Sequence, residues 1–249
     1  GTLVDVDLLD AAPNLKVVAR MGVGLDTIDV EACKARGVEV CPSIGANAVS
    51  VAEYVIASAM ILLRGPTYFA TQDVAAGAWD RPKFAGSTEI AGRVMGIVGF
   101  GSIGQVVGEK ARGMGMEVIA YDAMMPDDHP AWAHARRVDL DDLVASSDVV
   151  SLHCPKLPET IDLMDKRQFE RMKSHAVLVN SARGGIVNEA DCAHALRTGQ
   201  IAGAALDTLD IEPITPEVGA LFQGIENLIL TPHVAGVTKE SNRRIAEVA

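Results

Sequence analysis

The sequence predicts an α/β fold, a doubly wound parallel sheet accompanied by a second, smaller α/β unit. Apolar, β-branched runs alternate with helical patterns along nearly the whole chain, and strands alternating with helices form parallel sheets covered on both faces. A glycine-rich turn, Gly99-Phe100-Gly101-Ser102-Ile103-Gly104, joins one such run to one such pattern. The length, 249 residues, is long for one ordinary domain and comfortable for two.

Taken in order, Leu15–Arg20 and Val38–Cys41 read as buried strands, with a short helix at Val30–Arg36 between them. Ser50-Val51-Ala52-Glu53 has the form of a capping box, and the helix it opens runs to about Arg64, where Gly65-Pro66 stops it. That helix is apolar on nearly every face, so it must be buried on all sides, and a contact between subunits is a natural use for it. From Arg93 onward, strands are predicted at Val94–Val98, Glu117–Tyr121, Val149–His153, Ala176–Asn180, Gly203–Leu206 and Leu228–Leu230. Helices are predicted at Ile103–Met114, Leu140–Ala145, Lys166–Arg171 and Asn188–Thr198.

Composition narrows the function. Hydrophobic residues make up 49% and charged residues 22%, enough to build a core. A net charge of −11 argues against a nucleic-acid partner, which needs a clustered basic face, but leaves room for an anionic substrate in a locally positive pocket. Cys33, Cys41, Cys154 and Cys192 fit neither a zinc site nor a disulfide framework, so no metal is expected and a cytoplasmic setting is. The start, Gly1-Thr2-Leu3-Val4-Asp5, lacks the form of a signal peptide. The most apolar segment, Ala48–Leu63, is short for a bilayer and carries Glu53, so no membrane partner is expected.

Alone, G-x-G-x-x-G is a weak signal; placed after the strand Val-Met-Gly-Ile-Val and at the head of a helix, it reads as a dinucleotide turn. Gly99 permits the tight turn, Gly101 lets the backbone approach a pyrophosphate, and Gly104 lets helix and strand pack closely. The first N–H groups of the helix, those of Ser102 and Ile103 among them, would face the phosphates. Asp122 follows 18 residues after Gly104, at the end of the strand Glu-Val-Ile-Ala-Tyr. A carboxylate there accepts hydrogen bonds from adenine ribose hydroxyls and repels a 2′-phosphate, which favours NAD over NADP.

Three later segments place ionisable residues just after apolar strands: Asn180-Ser181-Ala182-Arg183-Gly184-Gly185, Asp207-Thr208-Leu209-Asp210-Ile211-Glu212-Pro213 and Thr231-Pro232-His233-Val234-Ala235-Gly236. Ligands of open parallel sheets bind outside the carboxyl ends of the strands, so all three should converge on the edge where a dinucleotide lies.

These segments, with Met21-Gly22-Val23-Gly24-Leu25-Asp26, Ser50–Val55 and Ser151–Thr160, resemble the D-isomer-specific 2-hydroxyacid dehydrogenases over nearly the whole chain. The resemblance implies a Rossmann NAD domain at residues 48–234 and a smaller, flavodoxin-like substrate domain. The latter would consist of residues 1–47 with a returning helix near 235–249, and its first strands would precede Gly1. It further implies that Arg183 binds the substrate carboxylate and polarises the 2-oxo group, a task suited to a planar guanidinium that grips two oxygens. His233 would be the general acid in reduction and the base in oxidation, since imidazole gives and takes a proton near neutrality. Glu212 would hold its tautomer. Asp207 would accept a hydrogen bond from the nicotinamide carboxamide, and Ala182, Gly236, His153, Cys154, Pro155 and Thr160 would be secondary cofactor contacts. The N–H groups of Val23 and Gly24 would cradle the substrate carboxylate.

Thr27, Leu209 and Asn188 stand where asparagine, phenylalanine and aspartate are commoner, and Ser43–Asn47 departs from the usual loop, which points to an unusual small anionic substrate such as sulfolactate. A homodimer through the 50–64 helix and the following arm, including Trp79, is expected. Two other readings share the motifs: an NAD-sensing scaffold without turnover, and a formate- or phosphite-type dehydrogenase.

Overall fold

The computed structural model describes residues 2–248. They form two compact units, one made of the chain up to Ser50 and from Gly236 onward, the other of Val51–Ala235.

The first unit is small. Helix α1 (Val6–Ala11), strand β1 (Val17–Arg20), helix α2 (Val30–Ala35) and strand β2 (Glu39–Pro42) follow in order. β1 and β2 pair in parallel, from Val17 opposite Glu39 to Arg20 opposite Pro42. Asp5 and Asp29 cap the two helices by accepting the N–H groups of Leu8 and Ala32, each satisfying a donor that the helix cannot. The core is Val4, Leu9, Ile28, Cys33 and Val38. The last helix, Lys239–Val248, belongs here too, and Arg244 Nε donates to the Ala46 carbonyl at 2.8 Å.

Helix α3 (Ala48–Arg64) leads into the second unit and corrects the expected capping box. It begins two residues before Ser50, so Ser50 lies within its first turn. Its hydroxyl sits 2.9 Å from Thr238 Oγ1, while Glu53 faces Lys110 Nζ at 3.4 Å. Nor is α3 buried on every side: Val51, Ala52, Val55, Ala59, Leu62 and Leu63 enter the core, whereas Val49, Glu53, Ala57 and Arg64 are exposed.

After short helices α4 (Thr71–Ala75) and α5 (Arg81–Phe84), the chain alternates regularly: β3 (Val94–Val98), α6 (Ser102–Gly113), β4 (Glu117–Tyr121), β5 (Arg136–Arg137), α7 (Leu140–Ser146), β6 (Val149–Leu152), α8 (Lys166–Arg171), β7 (Val177–Asn180), α9 (Glu189–Arg197), β8 (Gly203–Leu206), α10 (Pro216–Ala220) and β9 (Leu228–Leu230). The seven strands form one parallel sheet in the order β5-β4-β3-β6-β7-β8-β9. Successive strand residues point to opposite faces, so each face has its own core. Val150, Leu152, Leu178, Ala204 and Leu206 meet α7, α8 and α9; Met95, Ile97, Val149, Val177, Val179 and Ala205 meet α3 and α6. The strand order reverses at β3, whose neighbours are β4 and β6, and such a reversal opens a crevice at the carboxyl ends of the strands.

Candidate active site

Register sets the edge. Val98 pairs with Leu152, Leu152 with Asn180, Asn180 with Leu206, and Leu206 with Leu230. The residues that follow, Gly99, His153, Ser181, Asp207 and Thr231, therefore line one rim of the sheet.

On that rim the glycine turn has the shape a dinucleotide needs. Gly99 adopts φ 89°, and a side chain there would meet the backbone of His153 and Cys154 at 2.6–2.8 Å. A Cβ on Gly104 would lie 2.2 Å from the Gly99 carbonyl. A Cβ on Gly101 would meet nothing within 4 Å, so backbone is exposed to open space at that point. Helices α1, α2, α5, α7, α8, α9 and α10 each start at an Asp, Asn or Thr whose side chain caps them. The 12-residue α6 starts at Gly101 with no side-chain cap, leaving the positive helix end near Ser102 and Ile103 for an anion. These features fit a pyrophosphate. Asp122 buttresses the turn: its carboxylate accepts the N–H of Phe100 at 2.8 Å and those of Met124 and Met125 at 2.9 Å.

The ionisable residues gather at the other end of the rim. His233 Nδ1 is 2.8 Å from Glu212 Oε2, and Glu212 Oε1 accepts the Leu209 N–H at 2.9 Å. The two side chains are 48% and 39% exposed, so a ligand can reach them. His233 has φ 56°, a left-handed backbone uncommon for a non-glycine residue. Its N–H donates to the carbonyls of Asp207 (2.8 Å) and Thr231 (3.0 Å). Arg183 lies in the turn after β7, with Asn180 Nδ2 donating to its carbonyl at 2.9 Å and its own Nη1 donating to the Ala182 carbonyl at 2.7 Å. The turn presses against the loop that carries Glu212. A Cβ on Gly184 would fall 1.8 Å from the Leu209 carbonyl, and one on Gly185 2.7 Å from Asp210 Oδ1. Lys156 Nζ pairs with Asp210 Oδ1 at 2.8 Å, and Glu189 Oε1 accepts the Asp210 N–H at 2.6 Å, fastening the same loop from two further sides.

The structure shows how the other expected contact residues are held. Asp207 is only 2% exposed, and its carboxylate accepts from Thr231 Oγ1 (2.6 Å), Val234 N (2.8 Å) and Ala235 N (2.9 Å). These bonds hold the loop of His233. The His153 imidazole turns inward to Ser151 Oγ at 2.8 Å, and burial pushes it down to about 3. The Thr160 hydroxyl is spent within its own loop, accepting from Leu157 N and donating to the Pro155 carbonyl, each at 2.7 Å. Burial, with the Asp122 charge, pushes the Cys154 thiol up to about 11, so it stays protonated. Val23, Gly24 and Gly236 belong to the first unit. There Arg20 Nε donates to the Gly24 carbonyl at 3.0 Å and Ser241 Oγ to the Gly236 carbonyl at 2.7 Å. Sequence reasoning missed Tyr54 and Thr231, whose hydroxyls lie 2.8 Å apart. Thr231 stands two residues before His233 and Tyr54 lies within Ser50–Val55, but nothing in either segment said that the two meet.

Among the described residues no group of three His, Cys, Asp or Glu side chains is placed to hold a metal, and no helix is long and apolar enough to cross a membrane.

The chain is similar to known proteins over nearly its whole length. The family described as D-isomer specific 2-hydroxyacid dehydrogenase, NAD binding domain, matches residues 56–235. (S)-Sulfolactate dehydrogenase of Chromohalobacter salexigens is 44% identical over 98% of this chain and 78% of its own length. D-3-phosphoglycerate dehydrogenase of Archaeoglobus fulgidus is 39% identical over 99% of this chain, which spans only 46% of that relative. Among solved structures, D-lactate dehydrogenase of Lactobacillus jensenii with NAD+ superposes with a TM-score of 0.84 at 30% identity, covering 99% of this chain and 78% of that one.

Proposed function

The chain belongs to the D-isomer specific 2-hydroxyacid dehydrogenase family, and on that premise we propose that it interconverts a small anionic 2-hydroxy acid and its 2-oxo acid. Residues 56–235 are the family's NAD-binding domain. When bound, the dinucleotide supplies the hydride in reduction and accepts it in oxidation. The protein handles the proton and the charge.

The observation that carries this reading is the 2.8 Å contact of His233 Nδ1 with Glu212 Oε2 at the carboxyl rim of the sheet. An ionised carboxylate accepts, so Nδ1 carries the proton and Nε2 is left for the substrate oxygen. In reduction the imidazolium form of His233 hands its Nε2 proton to that oxygen as the carbonyl carbon gains hydride, leaving the Nδ1–H neutral ring; in oxidation Nε2 of the neutral ring takes the hydroxyl proton back. Glu212 keeps the ring in one tautomer and orientation. Arg183 holds the anionic end of the substrate and draws charge onto the 2-oxo oxygen, which a guanidinium does through two parallel N–H bonds.

The likeness to (S)-sulfolactate dehydrogenase puts sulfopyruvate first in a panel with hydroxypyruvate, phosphohydroxypyruvate and glyoxylate. NADH consumption is expected with at least one of them, and His233→Ala should lower kcat by roughly 10²–10⁴ with NADH affinity unchanged. Unchanged turnover in that variant removes His233 from the role. Tight NADH binding with no turnover of any 2-oxo acid makes the protein a sensing scaffold, and hydride transfer from formate or phosphite alone makes it another kind of dehydrogenase.

A homodimer through α3 and the arm after it is part of the proposal. Tyr68, Val74 and Trp79 are exposed there, Trp79 at 77%, and large apolar side chains gathered on one stretch call for a cover. Light scattering at micromolar concentration should give twice the chain mass; a stable monomer overturns it.

A further inference from the structure

We propose that Tyr54 is a positioning residue for His233, acting through a directed hydrogen-bond chain that ends in the loop on which His233 stands. The proposal rests on the reading of His233 as the acid–base group.

The direction of the chain follows from proton counting. Thr231 Oγ1 is 2.6 Å from Asp207 Oδ1, and an ionised carboxylate only accepts. The single hydroxyl proton of Thr231 is therefore committed to Asp207. Tyr54 Oη lies 2.8 Å from the same Thr231 oxygen, so Tyr54 must be the donor. Burial, aided by the Asp207 charge, outweighs the Thr231 and Ser58 hydrogen bonds and pushes the Tyr54 phenol up, which keeps that donor protonated in neutral and mildly alkaline solution.

The chain converges where holding is needed. Asp207 grips the loop on both sides of His233, at Thr231 before it and at the N–H groups of Val234 and Ala235 after it. Between these grips His233 has φ 56°. Such a conformation persists only when its surroundings over-determine it. Tyr54 is the far anchor. It sits on α3, its ring packs against the core of one sheet face, and 177 positions separate it from Thr231. Chains of hydrogen bonds in a dry setting strengthen one another, so the outermost donor matters to the innermost grip.

Tyr54→Phe removes the oxygen and leaves the ring. The expected result is a kcat lower by about fivefold, with KM for the 2-oxo acid and NADH affinity unchanged. Hydrogen exchange of the Val234 and Ala235 amides should be about tenfold faster. Thr231→Val should cost at least as much, and Thr231→Ser, which restores the hydroxyl, should recover kcat and amide protection together. Wild-type kcat in Tyr54→Phe, or wild-type exchange at those two amides, overturns the proposal. So does a loss that Thr231→Ser does not reverse. The exchange measurement needs no turnover, so it reports on the Tyr54 chain even if His233→Ala shows that the acid–base reading itself has failed.

Discussion

Two buried aspartates close opposite ends of the same sheet, and they are built differently. Asp148 stands immediately before β6, with a side chain 6% exposed. It accepts from Val94 N (2.7 Å), Lys173 Nζ (3.1 Å) and His175 Nε2 (2.8 Å), tying the starts of β3 and β6 to the turn before β7. Asp207 stands immediately after β8 and accepts from a hydroxyl and two amides, all neutral. At the amino end a charge meets basic side chains across short connections, and the result is a staple. At the carboxyl end a charge of the same sign organises a loop instead of closing a pair, and the loop holds an exposed histidine outward. One carboxylate serves the sheet; the other serves what the sheet displays.

The comparison is broken most directly by replacing each aspartate with asparagine. In Asp207→Asn, one amide-facing acceptor becomes an NH2 donor that confronts Val234 or Ala235 N–H, so the loop must move. A displacement near 1 Å of a reacting group can cost about 100-fold in rate, and kcat should fall by about that factor. Asp148→Asn should leave kcat unchanged and cost about 2 kcal/mol of stability, or about 4–8 °C in Tm, as charged hydrogen bonds are lost. An acid titration sharpens the result. Burial pushes the Asp148 carboxyl up, but the Val94 amide, His175 and Lys173 together outweigh it and hold the group below its ordinary range. A lowered carboxyl contributes stability that is present above its unfolded pKa and lost as pH falls through its folded value. The variant should lose that part of the acid unfolding limb. Equal losses of kcat in both variants would erase the distinction between the two ends.

How much of this was legible in the sequence divides along physical lines. The strands β3, β4, β6, β7 and β8 are apolar runs bounded by turns, because a parallel strand buried on both faces has no polar side to show; β9 is an equally apolar run, although as an edge strand it is only partly buried. β5 was invisible, since it is two arginines at the sheet's edge, paired only with Ile119 and Ala120 of β4. The Ser50–Glu53 pattern matched a capping box, but a pattern cannot say where a helix begins, and α3 starts earlier. Gly104 declared its close packing through spacing. Gly184 did not, because the Leu209 carbonyl it admits comes from another strand's loop. His233 and Glu212 were readable as residues after strand ends, whereas the Tyr54–Thr231 bond joins distant segments by tertiary packing alone. Residues that act through local backbone are explained by their motif; those that meet across the sheet can each sit in a motif that does not say they meet.

The smallest expected effect concerns His153, whose imidazole follows the same carboxyl rim as His233 in a different setting. His233 is exposed and faces a carboxylate, while His153 is turned into the protein against Ser151 and has an unpartnered buried Nδ1. Burial pushes its imidazole from 6.5 down to about 3, so the folded protein holds it neutral. A depressed histidine contributes stability that is complete above its unfolded pKa and lost as pH falls toward its folded one. Between those values the unfolded chain binds the additional proton, at about 1.4 kcal/mol per pH unit. His153→Gln should remove this slope: urea midpoints at pH 7 and pH 5.5 should lie closer together than in the wild type, by about 1 kcal/mol of stability. A variant with the wild-type slope, or one whose kcat falls as far as that of His233→Ala, would place the His153 imidazole in the working part of the rim instead of beneath it.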